Sequence, residues 1–475
     1  MPPVQGGQGP ARSEPQASEG TTLGPVRREA EPSGGGQARQ RRDLRAISAD
    51  GAAFSVMVGV GETYLVPFAL ALGIAAEQAS LLATLPVLAG SLLQLVAPAG
   101  VRRLGSYRRW VVGCAALQAL CFVPLVGAAL AGTASPGLLF LVGAAYWGFG
   151  MATGPAWNAW VGTIVPGRLR ARFFARRARV AHLALLVGIV AGGYGLEWGK
   201  QQGRVFVAFA LLFAAAGLAR LVSARLIATQ SEAPGLAARL EAIHVRGVLR
   251  ELAGRDAGHV VAWLLAMQVV VNVAAPFFAP YMLGPLGLSY DGFMLLTATS
   301  FVSRLAVLPL LGRLAERGRA VRLLRLGALG IVPLPALWLV SDDFRFLLVL
   351  QAVAGCAWAA VELATLLVFF DALAQETRTS VLALYNLGSA AAVAFGSLLG
   401  AGLFTALGAE PAAYAALFAV SSIARVAILP LLRGVGPPKG PPGAGELDTL
   451  AVRPSLGALQ RPILSSLGPI GEEPQ

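Results

Sequence analysis

The sequence predicts an all-α membrane protein with twelve transmembrane helices, arranged as two six-helix bundles related by a pseudo-two-fold repeat. Three observations support this fold class: a composition poor in charge, twelve long apolar runs, and similarity between the two halves of the chain. Of the 475 residues, 56% are hydrophobic and only 13% are charged. A soluble domain carries about 25% charged residues, so most of this chain is expected to lie in lipid.

Twelve apolar runs are long enough to cross a membrane as helices. A helix needs about 20 apolar residues for this, and it satisfies its own backbone hydrogen bonds within the bilayer. We number the predicted spans 1 to 12 in chain order: 52–74, 79–98, 109–131, 137–162, 179–198, 205–226, 259–283, 291–311, 321–341, 345–370, 379–406 and 412–432.

The segments between and around the spans define five predicted regions. Residues 1–48 and 434–475 are rich in glycine and proline without apolar periodicity, which is typical of disordered tails. The N-terminal six-helix bundle is expected at 49–226 and the C-terminal one at 259–433. Between them, residues 227–258 are predicted to form an amphipathic linker on the cytoplasmic surface of the membrane.

Arginines indicate the orientation of the spans. The gaps after spans 2, 4, 6 and 8 each hold at least three arginines, whereas the gaps after odd-numbered spans hold few charges. Because basic residues are retained on the cytoplasmic side, both termini are predicted to be cytoplasmic, in a multi-pass plasma (inner) membrane protein. The net charge of +13 is therefore attributed to topology, and no nucleic-acid binding is expected.

Several kinds of chemistry are not expected from this sequence. Cys114, Cys121 and Cys356 all fall inside apolar runs, so neither a disulfide framework nor a metal site is predicted. The chain carries no phosphate-binding glycine loop, which argues against ATP as an energy source. No cofactor and no enzymatic activity are predicted.

The two halves of the chain resemble each other at nearly constant offsets. The motif Leu-Phe-Ala followed by Ala-Arg ends at Arg220 on span 6 and recurs ending at Arg425 on span 12, 205 residues later (425 − 220). Further pairs recur at offsets of 208 or 209 residues: Gly188 and Gly396, Gly192 and Gly400, Arg170 and Arg378, Pro67 and Pro276. Parallel six-span repeats of this kind characterise one large architecture of membrane transporters.

Over about residues 50–433 the chain resembles the major facilitator superfamily. That family carries a Gly-x-Leu-Ala-Asp-Arg-x-Gly-Arg loop between spans 2 and 3, which is echoed between spans 8 and 9. Residues 312–319 read Gly-Arg-Leu-Ala-Glu-Arg-Gly-Arg, one residue short of the pattern, while the first position keeps only Arg103-Leu104-Gly105. Arg102 stands there in place of the family's acid. The resemblance implies gate loops that contain Arg103, Gly105, Gly312, Glu316, Arg317 and Gly318.

A second candidate gate is the arginine-rich gap before span 5, which contains Arg170 and Arg172, together with Arg378 before span 11. These arginines could close a cytoplasmic gate against acids of the other half. The alternative is that they only fix the topology and contact anionic lipids, at about 1 kcal/mol each.

Three charged residues are predicted inside the bilayer: Glu62 on span 1, Arg304 on span 8 and Glu362 on span 10. Each costs about 2.5–3.5 kcal/mol on insertion, so each needs a reason. The resemblance places spans 1, 4, 7 and 10 around a central cavity, so Glu62 and Glu362 would face it from opposite halves, with Arg304 available to either. Glu62 is the candidate proton-coupling or substrate-binding acid; the alternative is a fixed Glu–Arg pair that holds helices together.

Other candidates for the substrate pathway are the amides of Asn158 and Asn272 and the ring of Trp157, which could orient or stack on a solute. The alternative is that they stabilise helix packing. Arg220 and Arg425 are expected to extend to the membrane interface. The Gly188–Gly192 and Gly396–Gly400 pairs are expected to form sliding surfaces between the two halves.

Together these features predict a secondary active transporter that moves a small solute by alternating access, with proton coupling as an option. Efflux of amphipathic compounds is slightly favoured over uptake of a metabolite, because the candidate cavity is aromatic and holds few charges. The alternative is a membrane protein of the same fold without transport activity, such as an assembly factor or sensor. The expected partners are the solute, protons and the lipid bilayer, and the protein is expected to act as a monomer.

Overall fold

The computed structural model describes residues 34–165, 167–234, 236, 255–315, 320–372 and 378–434. Within these ranges the regular structure is helical and contains no strand, as the sequence predicted. Eleven helical segments in this part of the chain are long and apolar enough to cross a membrane. The predicted all-α membrane fold is therefore confirmed.

The helices of the first half correspond to spans 1 to 6, with spans 1, 2 and 3 each divided into shorter pieces. They are Gly34–Val60, Leu65–Ala71, Ala76–Leu82, Leu85–Gln94, Ala97–Leu104, Tyr107–Leu120, Phe122–Ala131, Pro136–Ile164, Gly167–Gln201 and Val205–Ala228, with a 3₁₀ turn at Glu62–Tyr64.

The helices of the second half correspond to spans 7 to 12. They are Arg255–Ala274, Phe278–Leu283, Tyr290–Ala315, Ala320–Ile331, Leu334–Leu337, Phe344–Ala372, Arg378–Ala406 and Pro411–Ile428, with 3₁₀ turns at Ala275–Phe277 and Leu429–Gly434.

The predicted span 9, at residues 321–341, is not one continuous helix. It consists of Ala320–Ile331 and the short helix Leu334–Leu337. Pro333 and Pro335 lie at the break. A proline lacks the backbone N–H group and clashes with the carbonyl group four residues earlier, so the two prolines interrupt the helix.

Two element boundaries differ from the sequence prediction. The first helix begins at Gly34, inside the predicted tail 1–48, and span 5 begins at Gly167 rather than at residue 179. Most of the predicted linker and almost all of the predicted C-terminal tail lie outside the described residues. The assignment of both tails and the linker remains a prediction.

The two halves pack their helices in the same pairs. In the first half span 2 packs against span 4 and span 3 against span 6; in the second half span 8 packs against span 10 and span 9 against span 12. Between the halves, span 5 packs against span 8 and span 11 against span 2. This correspondence is what a duplicated six-helix unit produces.

Glycines allow close helix contacts in the second half. A methyl group at Gly396 would lie 2.2 Å from the carbonyl oxygen of Val269, and one at Gly400 would lie 2.2 Å from that of Val273. Span 11 therefore touches the backbone of span 7 directly, as small residues permit.

The repeat-related glycines make the matching contacts in the first half. Gly188 lies against the backbone of Gly59, and a methyl group at Gly192 would lie 2.3 Å from the ring of Tyr64. Both contacts join spans 5 and 1 of one half, so the expectation that these glycines slide between the halves is wrong. The glycine at the boundary is Gly193, where a methyl group would lie 2.4 Å from the Cβ of Met294 on span 8.

Replacing Gly396 by alanine is expected to destabilise the protein by about 1–3 kcal/mol, because span 11 must move away from span 7 to admit the methyl group. Thermal unfolding in detergent measures the loss. Gly402→Ala is the matched control, since it lies on the same helix with nothing within 4 Å of the added methyl group. Equal midpoints for the two variants would refute the close contact as a source of stability.

Candidate functional site

A central cavity of about 230 Å³ lies between the two halves. Spans 1, 2 and 4 contribute to its walls from the first half, and spans 7, 8, 9, 10 and 12 from the second. Its polar lining includes Glu62, Thr84, Asn272, Gln351 and Arg425, and its aromatic lining Trp147, Phe278, Phe293, Trp338 and Trp358. A cavity of this kind suits a ligand with an apolar body and a few polar groups.

Glu62 lies where the helix of span 1 is interrupted. It opens the 3₁₀ turn Glu62–Tyr64, five residues before Pro67, whose ring is incompatible with continuous helix geometry at this point. The Oη of Tyr146 on span 4 donates a 2.9 Å hydrogen bond to Glu62 Oε2. Tyr146 is buried and packs edge-on against the ring of Phe122. The carboxylate is therefore held at the cavity wall by a group of the same half.

Arg304 and Glu362 form an ion pair between spans 8 and 10. The Nη1 of Arg304 lies 2.8 Å from Glu362 Oε2, and the side chains are 10% and 33% exposed. Of the two acids that the sequence offered to Arg304, the structure pairs it with the one in its own half. Neither residue belongs to the lining of the central cavity.

Asn272 and Arg425 both line the cavity from the second half. Asn272 is buried and donates from Nδ2 to the carbonyl oxygen of Gln268 at 2.8 Å, while its own side-chain oxygen accepts no hydrogen bond. Arg425 is 2% exposed, and its Nη1 donates to the carbonyl oxygen of Ile331 at 2.6 Å. The expectation that Arg425 extends to the membrane interface is wrong, because the cavity wall encloses the side chain.

A family model described as Major Facilitator Superfamily matches residues 260–468. The second half of the chain is therefore similar to that superfamily. Solved structures extend the similarity to both halves. A mutant of the nucleoside transporter NupG matches with a TM-score of 0.68 and 9% identity, over 82% of this chain and 99% of that one. No curated protein sequence matches the chain.

Two further structures have the same fold. The D-xylose–proton symporter matches with a TM-score of 0.64 and 16% identity, over 85% of this chain and 99% of that one. A bacterial homolog of the human lysosomal transporter Spinster matches with a TM-score of 0.59 and 14% identity, over 84% and 95% of the two chains. All three likenesses are at 16% identity or less, so they show the fold that the sequence predicted.

Trp157 and Asn158 lie apart from the central cavity. Trp157 is fully buried on span 4, in a separate core beside Trp160, and the guanidinium of Arg177 lies 4.5 Å from the centre of its ring. Asn158 is also buried. The structure brings neither of them to the cavity that Glu62 and Asn272 line.

The superfamily loop motifs are described only in part. Arg103 is exposed at the end of the helix Ala97–Leu104, and Gly105 ends that helix with a positive φ of 61°, which favours glycine. Gly312 lies near the end of the helix of span 8. Glu316, Arg317 and Gly318 lie outside the described residues, as do the side chains of Arg170, Arg172 and Arg378. Their gating role remains a prediction.

A buried polar network joins four spans of the first half, and the sequence analysis missed it. Ser223 Oγ donates to Asp50 Oδ1 at 2.5 Å and accepts from Arg220 Nη1 at 2.7 Å. Arg220 Nε donates to Gln118 Oε1 at 2.8 Å, and Arg177 Nη2 lies 3.8 Å from Asp50 Oδ2.

Arg220 is 0% exposed, so the expectation that it extends to the membrane interface is also wrong. The signal that could have found this network is Asp50 itself, an acid two residues before the predicted start of span 1.

A smaller contact joins the two halves at the predicted outer side. The backbone N–H of Tyr290, which begins the helix of span 8, donates to Glu197 Oε2 of span 5 at 3.1 Å. The ammonium of Lys200 lies 5.8 Å from the centre of the Tyr290 ring. The carboxylate thus caps the N-terminus of span 8, where a negative charge is favoured.

Proposed function

We propose that this protein moves a small amphipathic solute across the inner membrane by alternating access, and that Glu62 couples the movement to protons. The family and fold support secondary transport. The site supports the finer proposal because residues of both halves line one cavity, so a rocking motion of the halves would expose that cavity to each side in turn.

The observation that carries the coupling is the position of Glu62. Its carboxylate lies in the cavity wall and accepts a hydrogen bond from Tyr146. An ionised carboxylate accepts hydrogen bonds only, whereas a protonated one also donates. Protonation would therefore change the contact between spans 1 and 4, and this change would link proton binding to the shape of the cavity.

The remaining polar groups have different roles in this proposal. Asn272 has a free acceptor on the cavity wall and orients the solute. The pair of Arg304 and Glu362 holds spans 8 and 10 together. The aromatic walls suit an apolar body, which favours efflux of amphipathic compounds over uptake of a polar metabolite. The protein works as a monomer with its even-numbered gaps on the cytoplasmic side.

The test is a screen in proteoliposomes that contain the purified protein and the pH-sensitive dye pyranine. A panel of amphipathic compounds and common metabolites is added outside, and the internal pH is recorded. We expect at least one compound to cause proton movement that empty liposomes do not show. A panel that produces neither proton movement nor counterflow of labelled compounds would contradict the proposal and favour the non-transporting alternative.

A further inference from the structure

Arg425 carries a positive charge in the cavity wall that the described part of the protein does not neutralise. It is 2% exposed, and no carboxylate in the described ranges forms an ion pair with it. Nη1 is bound to the carbonyl oxygen of Ile331, but Nε has no hydrogen-bond partner. A buried charge without a counterion is costly, so a protein keeps one only where something else compensates it.

The repeat provides an internal comparison, because Arg220 is the equivalent residue of the first half. Arg220 is also buried, but it binds Gln118 directly and reaches the carboxylate of Asp50 through Ser223. Its charge is therefore balanced within the fold.

At the matching positions, the second half carries residues that cannot balance Arg425 in the same way. At the offset of 205 residues, Ser223 corresponds to Ile428, which has no hydroxyl group. At the offset of 209 residues that relates Pro67 to Pro276, Asp50 corresponds to His259, which is exposed. Among the described residues, the arginine that lines the cavity is thus the one of the two that reaches no carboxylate.

The cavity around Arg425 defines the chemistry of the missing counterion. Trp147, Trp338 and Trp358 supply flat apolar surface, and Glu62 supplies an acid on the opposite half. The cavity offers one guanidinium to attract a negative charge, and the carboxylate of Glu62 would repel a second one. A ligand with a single negative charge therefore fits best. A guanidinium binds a carboxylate with charge-assisted hydrogen bonds through its planar donors.

We propose that Arg425 binds the carboxylate of an aromatic organic monoanion in the central cavity, which deepens and rests on the transport function proposed above. The substrate carboxylate takes the place that Asp50 holds for Arg220 in the first half. The aromatic body of the substrate packs among the tryptophans of the cavity.

The first experiment compares two matched variants without any ligand. Arg425→Met removes an unbalanced charge, so the thermal midpoint of the purified protein is expected to stay the same or to rise. Arg220→Met removes a balanced charge, and Asp50 loses the guanidinium that it reaches through Ser223. The midpoint is therefore expected to fall by about 3 °C or more. A fall of similar size in both variants would show that Arg425 has an ordinary structural role and would overturn the proposal.

The second experiment tests the sign of the ligand charge with three aromatic bodies, indole, naphthalene and phenyl, each carrying a carboxylate, a carboxamide or an amine on the same short chain. We expect at least one carboxylate to raise the midpoint of the wild-type protein while its carboxamide and amine do not. The shift is expected to disappear in Arg425→Met and to persist in Arg345→Gln, a control at an exposed arginine. Equal shifts from the neutral partners, larger shifts from the amines, or no shift from any carboxylate would overturn the proposal.

Transport separates this inference from the function on which it rests. If a carboxylate binds through Arg425 but does not enter proteoliposomes, the result supports the anion site and contradicts the proposed transport. If an amine or a neutral compound is taken up, and Arg425→Met does not change its uptake, the result supports transport and contradicts the anion site.

Discussion

Glu62→Gln is expected to reduce solute-driven proton movement to the level of empty liposomes. Glutamine keeps the shape of the side chain, and its carbonyl oxygen can still accept the hydrogen bond from Tyr146, but it cannot bind or release a proton. Exchange of labelled for unlabelled solute across the membrane, which needs no net proton movement, is expected to continue. The pyranine signal and the exchange rate, measured on the same proteoliposomes, provide the two readouts.

Two controls define what this result means. Tyr146→Phe keeps the acid but removes the 2.9 Å hydrogen bond that links its protonation to span 4, so proton movement is expected to be reduced but not abolished. Glu362→Gln changes an acid that lies outside the cavity lining, so coupling is expected to survive in any protein that still folds. Wild-type proton movement in Glu62→Gln would remove this acid from the coupling mechanism.

Arg304→Met is expected to destabilise the protein by up to about 3 kcal/mol, because it leaves the carboxylate of Glu362 without its partner. That value is the lower end of the range for breaking a buried ion pair, since a third of the Glu362 side chain is exposed. The double variant Arg304→Met/Glu362→Gln is expected to recover part of the loss, with a coupling energy of about 1–3 kcal/mol.

The cycle of the wild type, both single variants and the double variant is measured as unfolding in detergent under one set of conditions. Strictly additive losses would show that the two side chains, though 2.8 Å apart, do not stabilise each other. The exchange assay on the single variants adds a second readout, because a pair that only holds helices together should leave exchange intact in the folded fraction.

The fold of this protein could be predicted because lipid imposes a length and a composition on every helix that crosses it. The same rule placed Glu62 in the membrane as a costly charge, and the structure places it in the central cavity. The same rule could not predict the interruption of span 9, because the mean hydropathy of an apolar run does not depend on whether the helix is continuous. Pro333 and Pro335 were visible in the sequence, but an average over the run conceals them.

The partners of the buried arginines could not be predicted for a different reason. Ser223 and Asp50 are 173 residues apart, and Arg220 and Gln118 are 102 apart. An apolar pattern shows which residues share a helix, but it does not show which helices meet. Arg425 therefore looked like its repeat-related residue in the sequence, and only the packing distinguishes a neutralised guanidinium from one in the cavity wall.

The glycine contacts of spans 5 and 11 have a mechanical consequence. Where backbone packs directly on backbone, there are no long side chains to bend. Each half is therefore expected to resist internal deformation and to move as a rigid body. The boundary between the two halves is packed differently at Gly193, which meets the flexible side chain of Met294. In the alternating access proposed above, the change of angle between the halves would therefore fall at this boundary.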